Sequence, residues 1–197
     1  MRLFLAIRPP RAVLDHLEPA LDGVRDRAGR ALRWTEPEQR HLTLAFHPEV
    51  PAGAVDDVVA VAGRIAAGHG PLDLHLAGAG EFSHRTLWVG VGGQVRELGA
   101  LLAEPWLADD DGRDRRRAHL TVAPVSGAAL RPRGRRWGEP RPPAPATVLL
   151  AEAVRALAVY RGPEWTADEV EVVASRLGEG RSGGPLHEVL ATVPLRG

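Results

Sequence analysis

Apolar and polar residues alternate along the chain with the periods of strands and helices in turn. Runs with a period of two or continuous apolar character indicate strands, and apolar residues three or four apart indicate amphipathic helices. The pattern predicts strands at 2–7, 41–46, 72–76, 86–91, 119–123, 169–174 and 187–193, and helices at 13–24, 55–65, 95–102 and 147–158. The last two strands are expected to pair across the glycine-rich turn at 178–184. The pattern therefore predicts a mixed α and β protein with mostly short strands.

One segment breaks this periodicity. Residues 126–146 contain five prolines and five arginines and follow neither a strand nor a helix period. We interpret the segment as a surface loop or a partly disordered insertion rather than a domain boundary. The expected organisation is a single domain over residues 1–197 with a Pro/Arg-rich loop near 126–146.

Composition restricts the chemistry. The chain contains no cysteine, which excludes a thiol nucleophile and a zinc knuckle, and all 25 basic residues are arginine, which excludes a lysine Schiff base or a P-loop lysine. The net charge is zero, so any contact with RNA should be local. No apolar run is long enough for a membrane span or a signal peptide, and a cytoplasmic protein without membrane contact is expected.

The same four-residue pattern, His-x-Thr-x with apolar residues at x, occurs twice, at 41–44 and at 119–122. With eight histidines and seven threonines in the chain, a random order would give about 0.05 such segments. Both segments lie on predicted strands, where residues two apart point to the same face. Each therefore presents an imidazole beside a hydroxyl, with an apolar residue turned the other way.

Two such half sites facing each other suit displacement at phosphorus. A cyclic phosphate opens when a base takes a proton from the attacking water and an acid protonates the departing ribose oxygen. His41 and His119 can fill either role near neutral pH, and Thr43 and Thr121 can donate hydrogen bonds to phosphate oxygens without a metal. The other histidines, which include His187, are expected to be structural.

At these residues the sequence resembles the two-histidine phosphoesterases, specifically the RNA 2′,3′-cyclic phosphodiesterases known as LigT-like or ThpR-like proteins. The resemblance extends over nearly the whole chain. Besides the two motifs it includes the opening strand, Trp34 before the first motif, residues 86–91 and the closing segment 175–178 with the strand after it.

The resemblance implies an α+β fold of two pseudo-symmetric lobes, whose antiparallel sheets flank a central cleft containing both motifs. It assigns His41 as proton donor and His119 as proton acceptor, with a 2′-phosphomonoester as product. It implies no metal and no cofactor. RNA ends or small cyclic nucleotides are the expected substrates, and a monomer is the expected state.

The chain departs from the family pattern beside both motifs. The family usually has a lysine and a Phe-Leu-Gly run after the first motif, where this chain has Ala45-Phe46-His47-Pro48. A proline usually precedes the second motif and an arginine follows it, and here Ala118 and Ala123-Pro124 occupy those places. Candidates for the missing positive charge are Arg116, Arg117 and Arg176.

Other residues near the motifs are candidates for RNA contacts. Two groups of arginines can engage phosphates, namely those of 113–117 and the cluster Arg131, Arg133, Arg135 and Arg136. The simpler interpretation is that these arginines belong to a solvated loop. Phe82, Trp88 and Trp34 can stack on a terminal base, although core packing is favoured for Trp88.

Three alternatives remain open from the sequence. The first is hydrolysis or reversible ligation of 2′-5′ RNA linkages by the same acid-base pair. The second is an RNA-end-binding protein without turnover, against which all four intact motif positions argue. The third is a metal site formed by His41 and His119 with a further ligand such as His47 or a carboxylate.

Overall fold

The computed structural model describes residues 1–106, 117–130, 145–180 and 184–197. In these ranges the chain forms eight β-strands and five α-helices. The strands are β1 (Arg2–Ile7), β2 (Leu42–His47), β3 (Leu72–Phe82), β4 (Thr86–Gly93), β5 (His119–Pro124), β6 (Arg161–Ala167), β7 (Glu169–Arg176) and β8 (Leu186–Pro194). The helices are α1 (Arg11–Ala28), α2 (Val55–Ala66), α3 (Val95–Ala103), α4 (Gly127–Leu130) and α5 (Pro145–Leu157).

The strands form one antiparallel sheet of two four-stranded halves, in the order β6-β3-β4-β5-β2-β1-β7-β8. The two halves meet between β5 and β2, where one residue pair, Leu42 opposite Leu120, is in register. Outward from this join, each half repeats the same order: a motif strand, then the strand that precedes it in the chain, then two more strands. The expected α+β fold of two antiparallel lobes is confirmed.

Helices cover one face of the sheet. α2 packs on β7 and β8, α5 packs on β3 and β4, and α1 packs on α5 and β6. The apolar stripe predicted for α1 is buried as expected, and it belongs to the same core cluster as Leu42 and Leu120. The opposite face of the sheet near the join is therefore left to the polar residues of the two motifs.

The structure differs from the sequence-based expectation in three places. β6 was not predicted at all, and β3 and β4 are longer than expected, so that they form a hairpin between Phe82 and Thr86. Part of the expected loop at 126–146 is helical, because α4 lies within it and α5 begins at Pro145. Residues 131–144 of that loop lie outside the described residues, and the single-domain organisation stays a prediction. The pairing of β7 with β8 is confirmed.

Candidate active site

The two motifs meet at the join between the halves of the sheet. Leu42 and Leu120, which face each other there, are almost completely buried in the core. The histidine and threonine of each motif are half-buried and lie on the other face, as strand alternation requires. Because β2 and β5 run antiparallel, His41 lies on the side of Thr121 and Thr43 on the side of His119.

Each motif histidine is held by a backbone carbonyl two residues before it. Nδ1 of His41 lies 2.7 Å from the carbonyl oxygen of Gln39, and Nδ1 of His119 lies 3.0 Å from that of Arg117. A carbonyl only accepts, so Nδ1 carries the proton in both rings and Nε2 has the free lone pair of the neutral imidazole. No described residue bonds to either Nε2 atom.

Aromatic side chains fix the planes of both imidazoles. Phe4 of β1 stacks on His41, with ring centroids 4.4 Å apart and planes 19° from parallel. Phe82 of β3 meets the His119 ring edge-on, with ring centroids 4.7 Å apart. The Trp88 ring lies close to both the Phe82 ring and the His119 ring. These contacts and the carbonyl bonds orient the two rings before any ligand is present.

A cleft of about 330 Å³ opens beside the join. His41, Thr43 and Thr121 line it, whereas His119 is not part of its lining and packs against Phe82 instead. The remaining lining residues are Arg33, Trp34, Thr35, Glu36, Gln39, Pro124, Gly184, Pro185 and His187. The cleft is therefore large enough for a nucleotide-sized group and extends mainly from the His41 side of the join.

Burial lowers the pKa of His41 from 6.5 to about 4. The hydrogen bond to the Gln39 carbonyl acts in the opposite direction, and the nearby His187, Arg8 and His119 lower the pKa further. His41 is therefore neutral at pH 7 while the cleft is empty. A bound anion would raise its pKa again, because an opposite charge favours the protonated ring.

Sequence reasoning missed two residues that belong to the site. Arg8, directly after β1, holds Glu171 through two nitrogens at 2.8–3.0 Å and also donates to the carbonyl of Glu38. His187 of β8 was expected to be structural, yet it lines the cleft with its ring 5.4 Å from that of His41. Neither residue lies near a motif in sequence, so no local pattern could have indicated it.

A buried arginine supports the segment in front of the first motif. Arg40 is 1% exposed, donates to the carbonyl of Thr35 at 3.0 and 3.2 Å, and pairs with Glu18 of α1. Glu18 also pairs with Arg25 at 2.6 Å. This charged cluster fixes the segment that carries Trp34, Thr35 and Gln39 to helix α1.

The candidates for RNA contacts are only partly brought to the cleft. Trp34 lines it, whereas Trp88 is 6% exposed and packs against Phe82, as its position in an apolar strand predicts. Arg117 lies over the Trp88 ring at 5.0 Å, and Arg176 pairs with Glu188 at 2.6 Å. The remaining arginine candidates, at 113, 115, 116, 131, 133, 135 and 136, lie outside the described residues.

The structure does not bring His47 to the two motif histidines. It occupies the far end of β2 and accepts a hydrogen bond from the backbone of Glu49. In the described parts of the chain, no three histidine or carboxylate side chains are grouped as metal ligands. Among the described residues, no helix is both long and apolar enough to cross a membrane.

Known proteins are similar to this chain in sequence and in fold. Residues 7–88 match the family described as LigT-like phosphoesterase. A relative from Geobacillus stearothermophilus, named RNA 2′,3′-cyclic phosphodiesterase, is 30% identical over 176 residues, which are 83% of this chain and 48% of the relative. One of the same name from Methanothermobacter thermautotrophicus is 30% identical over 95 residues, 46% of this chain and 51% of the relative.

This chain spans about half the length of these curated relatives. The crystal structure of TT0787 from Thermus thermophilus superposes with a TM-score of 0.68 at 25% identity, covering 100% of this chain and 99% of that one. The sequence resemblance to the two-histidine phosphoesterases is confirmed by these matches. With the repeated motif and the two-lobed antiparallel sheet, these similarities make the LigT-like phosphoesterases the proteins that this chain resembles in sequence and in fold.

Proposed function

We propose that this protein hydrolyses RNA 2′,3′-cyclic phosphate ends to 2′-phosphomonoesters, with His41 and His119 as general acid and base. The observation that carries the proposal is the meeting of the two His-x-Thr-x motifs at the Leu42–Leu120 pair. It brings two imidazoles and two hydroxyls to one face of the sheet. The names of the two curated relatives support the same reaction.

The proposed reaction uses the four motif side chains. His119 takes a proton from water, whose oxygen bonds to phosphorus, while the bond from phosphorus to the 3′-oxygen breaks and His41 protonates that oxygen. Thr43 and Thr121 donate hydrogen bonds to the non-bridging oxygens as negative charge develops there. No metal and no cofactor takes part in these steps.

The low pKa of His41 adds a condition to this assignment. With a pKa of about 4, His41 is neutral in the empty cleft at pH 7, so its Nε2 atom has no proton to donate. The anionic phosphate therefore has to raise the pKa of His41 on binding before the ring can act as an acid. We propose that the substrate itself supplies this effect, as part of its binding to the two threonines.

RNA ends or small cyclic nucleotides are the proposed substrates. Binding of a nucleotide is supported by the cleft volume and by the aromatic Trp34 in its lining. A monomeric, cytoplasmic protein remains our expectation.

The proposal is tested with a short RNA that ends in a 2′,3′-cyclic phosphate, incubated in EDTA. We expect opening to a product that resists a 3′-specific phosphatase, with loss of activity in His41→Ala and in His119→Ala. His47→Ala, at the far end of the strand that begins directly after His41, is the matched control and should keep wild-type activity. Activity that requires an added metal would contradict the mechanism, and an inert wild-type protein that still binds the RNA would indicate an end-binding protein.

The roles of the two histidines are separated by a cyclic substrate with sulfur in place of the bridging 3′-oxygen. A thiolate departs without a proton, so the variant that lacks the acid should recover activity on the sulfur substrate. We expect recovery in His41→Ala and none in His119→Ala. The opposite result would exchange the roles.

A further inference from the structure

A third imidazole lies beside His41 in the cleft. His187 is on β8, opposite Ser175 of β7, and it lines the cleft together with Gln39 and Pro185. Its ring is nearly perpendicular to that of His41, at 73° and 5.4 Å, and meets Phe4 edge-on at 4.9 Å. The fold therefore brings a residue from the outermost strand of this half to the reacting face.

The two nitrogens of His187 have different surroundings. Nδ1 is buried and has no hydrogen-bond partner among the described residues. Because His187 lines the cleft and its Nδ1 is buried, Nε2 is the nitrogen of the ring that remains to meet a molecule in the cleft. A proton on Nδ1 would leave a buried donor without an acceptor, which is unfavourable.

Arg8 favours the neutral form of the His187 ring. Its guanidinium is fixed by Glu171 and the Glu38 carbonyl, and it lowers the pKa of His187, for which burial is the larger cause. A nearby cation disfavours a second proton on the ring, and the buried Nδ1 without an acceptor favours Nε2 as the site of the single proton. His187 is therefore neutral, with its proton on Nε2, and presents a hydrogen-bond donor to the cleft.

This is the reverse of the state of His41. There Nδ1–H is bound to the Gln39 carbonyl, so Nε2 presents a lone pair. The two rings thus place an acceptor and a fixed donor side by side. An anion bound at His41 and the two threonines would accept a hydrogen bond from His187, and no proton transfer would be needed to form it.

We propose that His187 is a substrate-binding residue, which donates a hydrogen bond from Nε2 to the phosphate group bound at His41, Thr43 and Thr121. This inference rests on the proposed function, because it assigns His187 to the same phosphate. It gives the site a third imidazole whose role is binding rather than acid-base chemistry.

The kinetic test compares His187→Phe, which keeps a ring but removes the donor, with His187→Gln, whose amide nitrogen can replace Nε2. We expect the Phe variant to raise KM for the cyclic phosphate roughly ten- to a hundredfold, as for a lost hydrogen bond to a charged group, with kcat nearly unchanged. The Gln variant should recover most of this loss. His16→Phe, at an exposed histidine of α1, is the control and should match the wild type. A wild-type KM in the Phe variant, or equal KM values in the Phe and Gln variants, would overturn the proposal.

A second measurement does not depend on turnover. The ¹⁵N shifts of the imidazoles should show Nε2 of His187 protonated and Nδ1 bare, and inorganic phosphate should shift the Nε2–H signal. If phosphate shifts this signal in a protein that does not open cyclic phosphates, the proposed reaction fails and the His187 site stands. If the protein is active but His187 carries its proton on Nδ1 and does not respond to phosphate, the His187 proposal fails alone.

Discussion

The charge state of His41 depends strongly on the fold. Its ring is enclosed by Phe4 and His187, and burial is the largest cause of its low pKa. Loss of hydration disfavours the charged ring, so the folded protein resists a proton that the unfolded chain accepts readily. This difference links the proposed catalytic residue to the stability of the whole protein.

The first prediction concerns stability against pH. The pKa of His41 is about 4 in the folded protein and 6.5 for an ordinary histidine, so between these values the unfolded chain binds the additional proton. The free energy of unfolding should therefore fall as the pH falls from 6.5 to 4, by about 3 kcal/mol from this residue. Urea unfolding across this range should show a smaller fall in His41→Gln, while His47→Gln keeps the wild-type slope. Equal slopes in all three proteins would contradict the low pKa.

A second prediction concerns Trp34. Its ring lines the cleft and has the Arg25 guanidinium 5.1 Å from its centroid. Stacking of a base on an aromatic residue contributes about 1–3 kcal/mol, so Trp34→Leu should raise KM for adenosine 2′,3′-cyclic phosphate about tenfold. Ribose 2′,3′-cyclic phosphate, which has no base, is the control substrate and its KM should not change. An equal rise for both substrates would indicate a general disturbance of the cleft.

At the scale of elements, the sequence predicts each strand whose apolar residues follow a clear period. It does not predict β6, whose position at the edge of the sheet decides its structure. β6 contains Gly162 and Pro163, which indicate a break, but an edge strand tolerates a proline because one side of it forms no ladder bonds. Both motif histidines and both motif threonines could be found from the sequence, since the signal is local and repeated.

The other members of the site could not be found in this way. Arg8 and His187 lie near His41 only because β1 lies between β2 and β7, and β7 pairs with β8. Their proximity to His41 results from the strand order, which a single sequence does not specify. The buried state of Arg40 likewise depends on Glu18 of a distant helix.

The third prediction concerns this charged cluster. Glu18→Gln would leave Arg40 buried without its counter-ion, and we expect a loss of about 2 kcal/mol in the free energy of unfolding, because Glu18 is itself partly exposed. Asp15→Asn, on the same helix and paired with Arg11 at the surface, is the matched control and should change stability by less than about 0.5 kcal/mol. Urea unfolding near pH 7 measures both. Equal effects would show that the Arg40 pair is no more important than a surface pair.

At the scale of the molecule, the proposed catalysis depends on the relative position of two half sheets. Each half is joined internally by extended ladders, whereas Leu42 opposite Leu120 is the one registered pair between β2 and β5 in the part of the chain the structure describes. The backbone N–H groups of Arg33 and Thr35 donate to the carbonyls of Pro124 and Val122 of β5. Because β5 bonds to this segment there rather than to β2, the two motif strands are free to diverge around the cleft. The join is thus narrow, and its packing sets how the two histidines face each other.

The last prediction tests this dependence with two buried leucines. Leu120→Ala at the join and Leu76→Ala on β3 each remove a completely buried side chain, and each should cost about 2–5 kcal/mol of stability. Only the first allows the motif strands to shift, and a displacement near 1 Å between reacting groups lowers rates by up to about a hundredfold. We therefore expect kcat to fall at least about tenfold in Leu120→Ala and to change little in Leu76→Ala, at a temperature where circular dichroism shows both variants folded. If kcat falls equally in both, the loss follows stability rather than the position of the two motifs, and the join has no special role in catalysis.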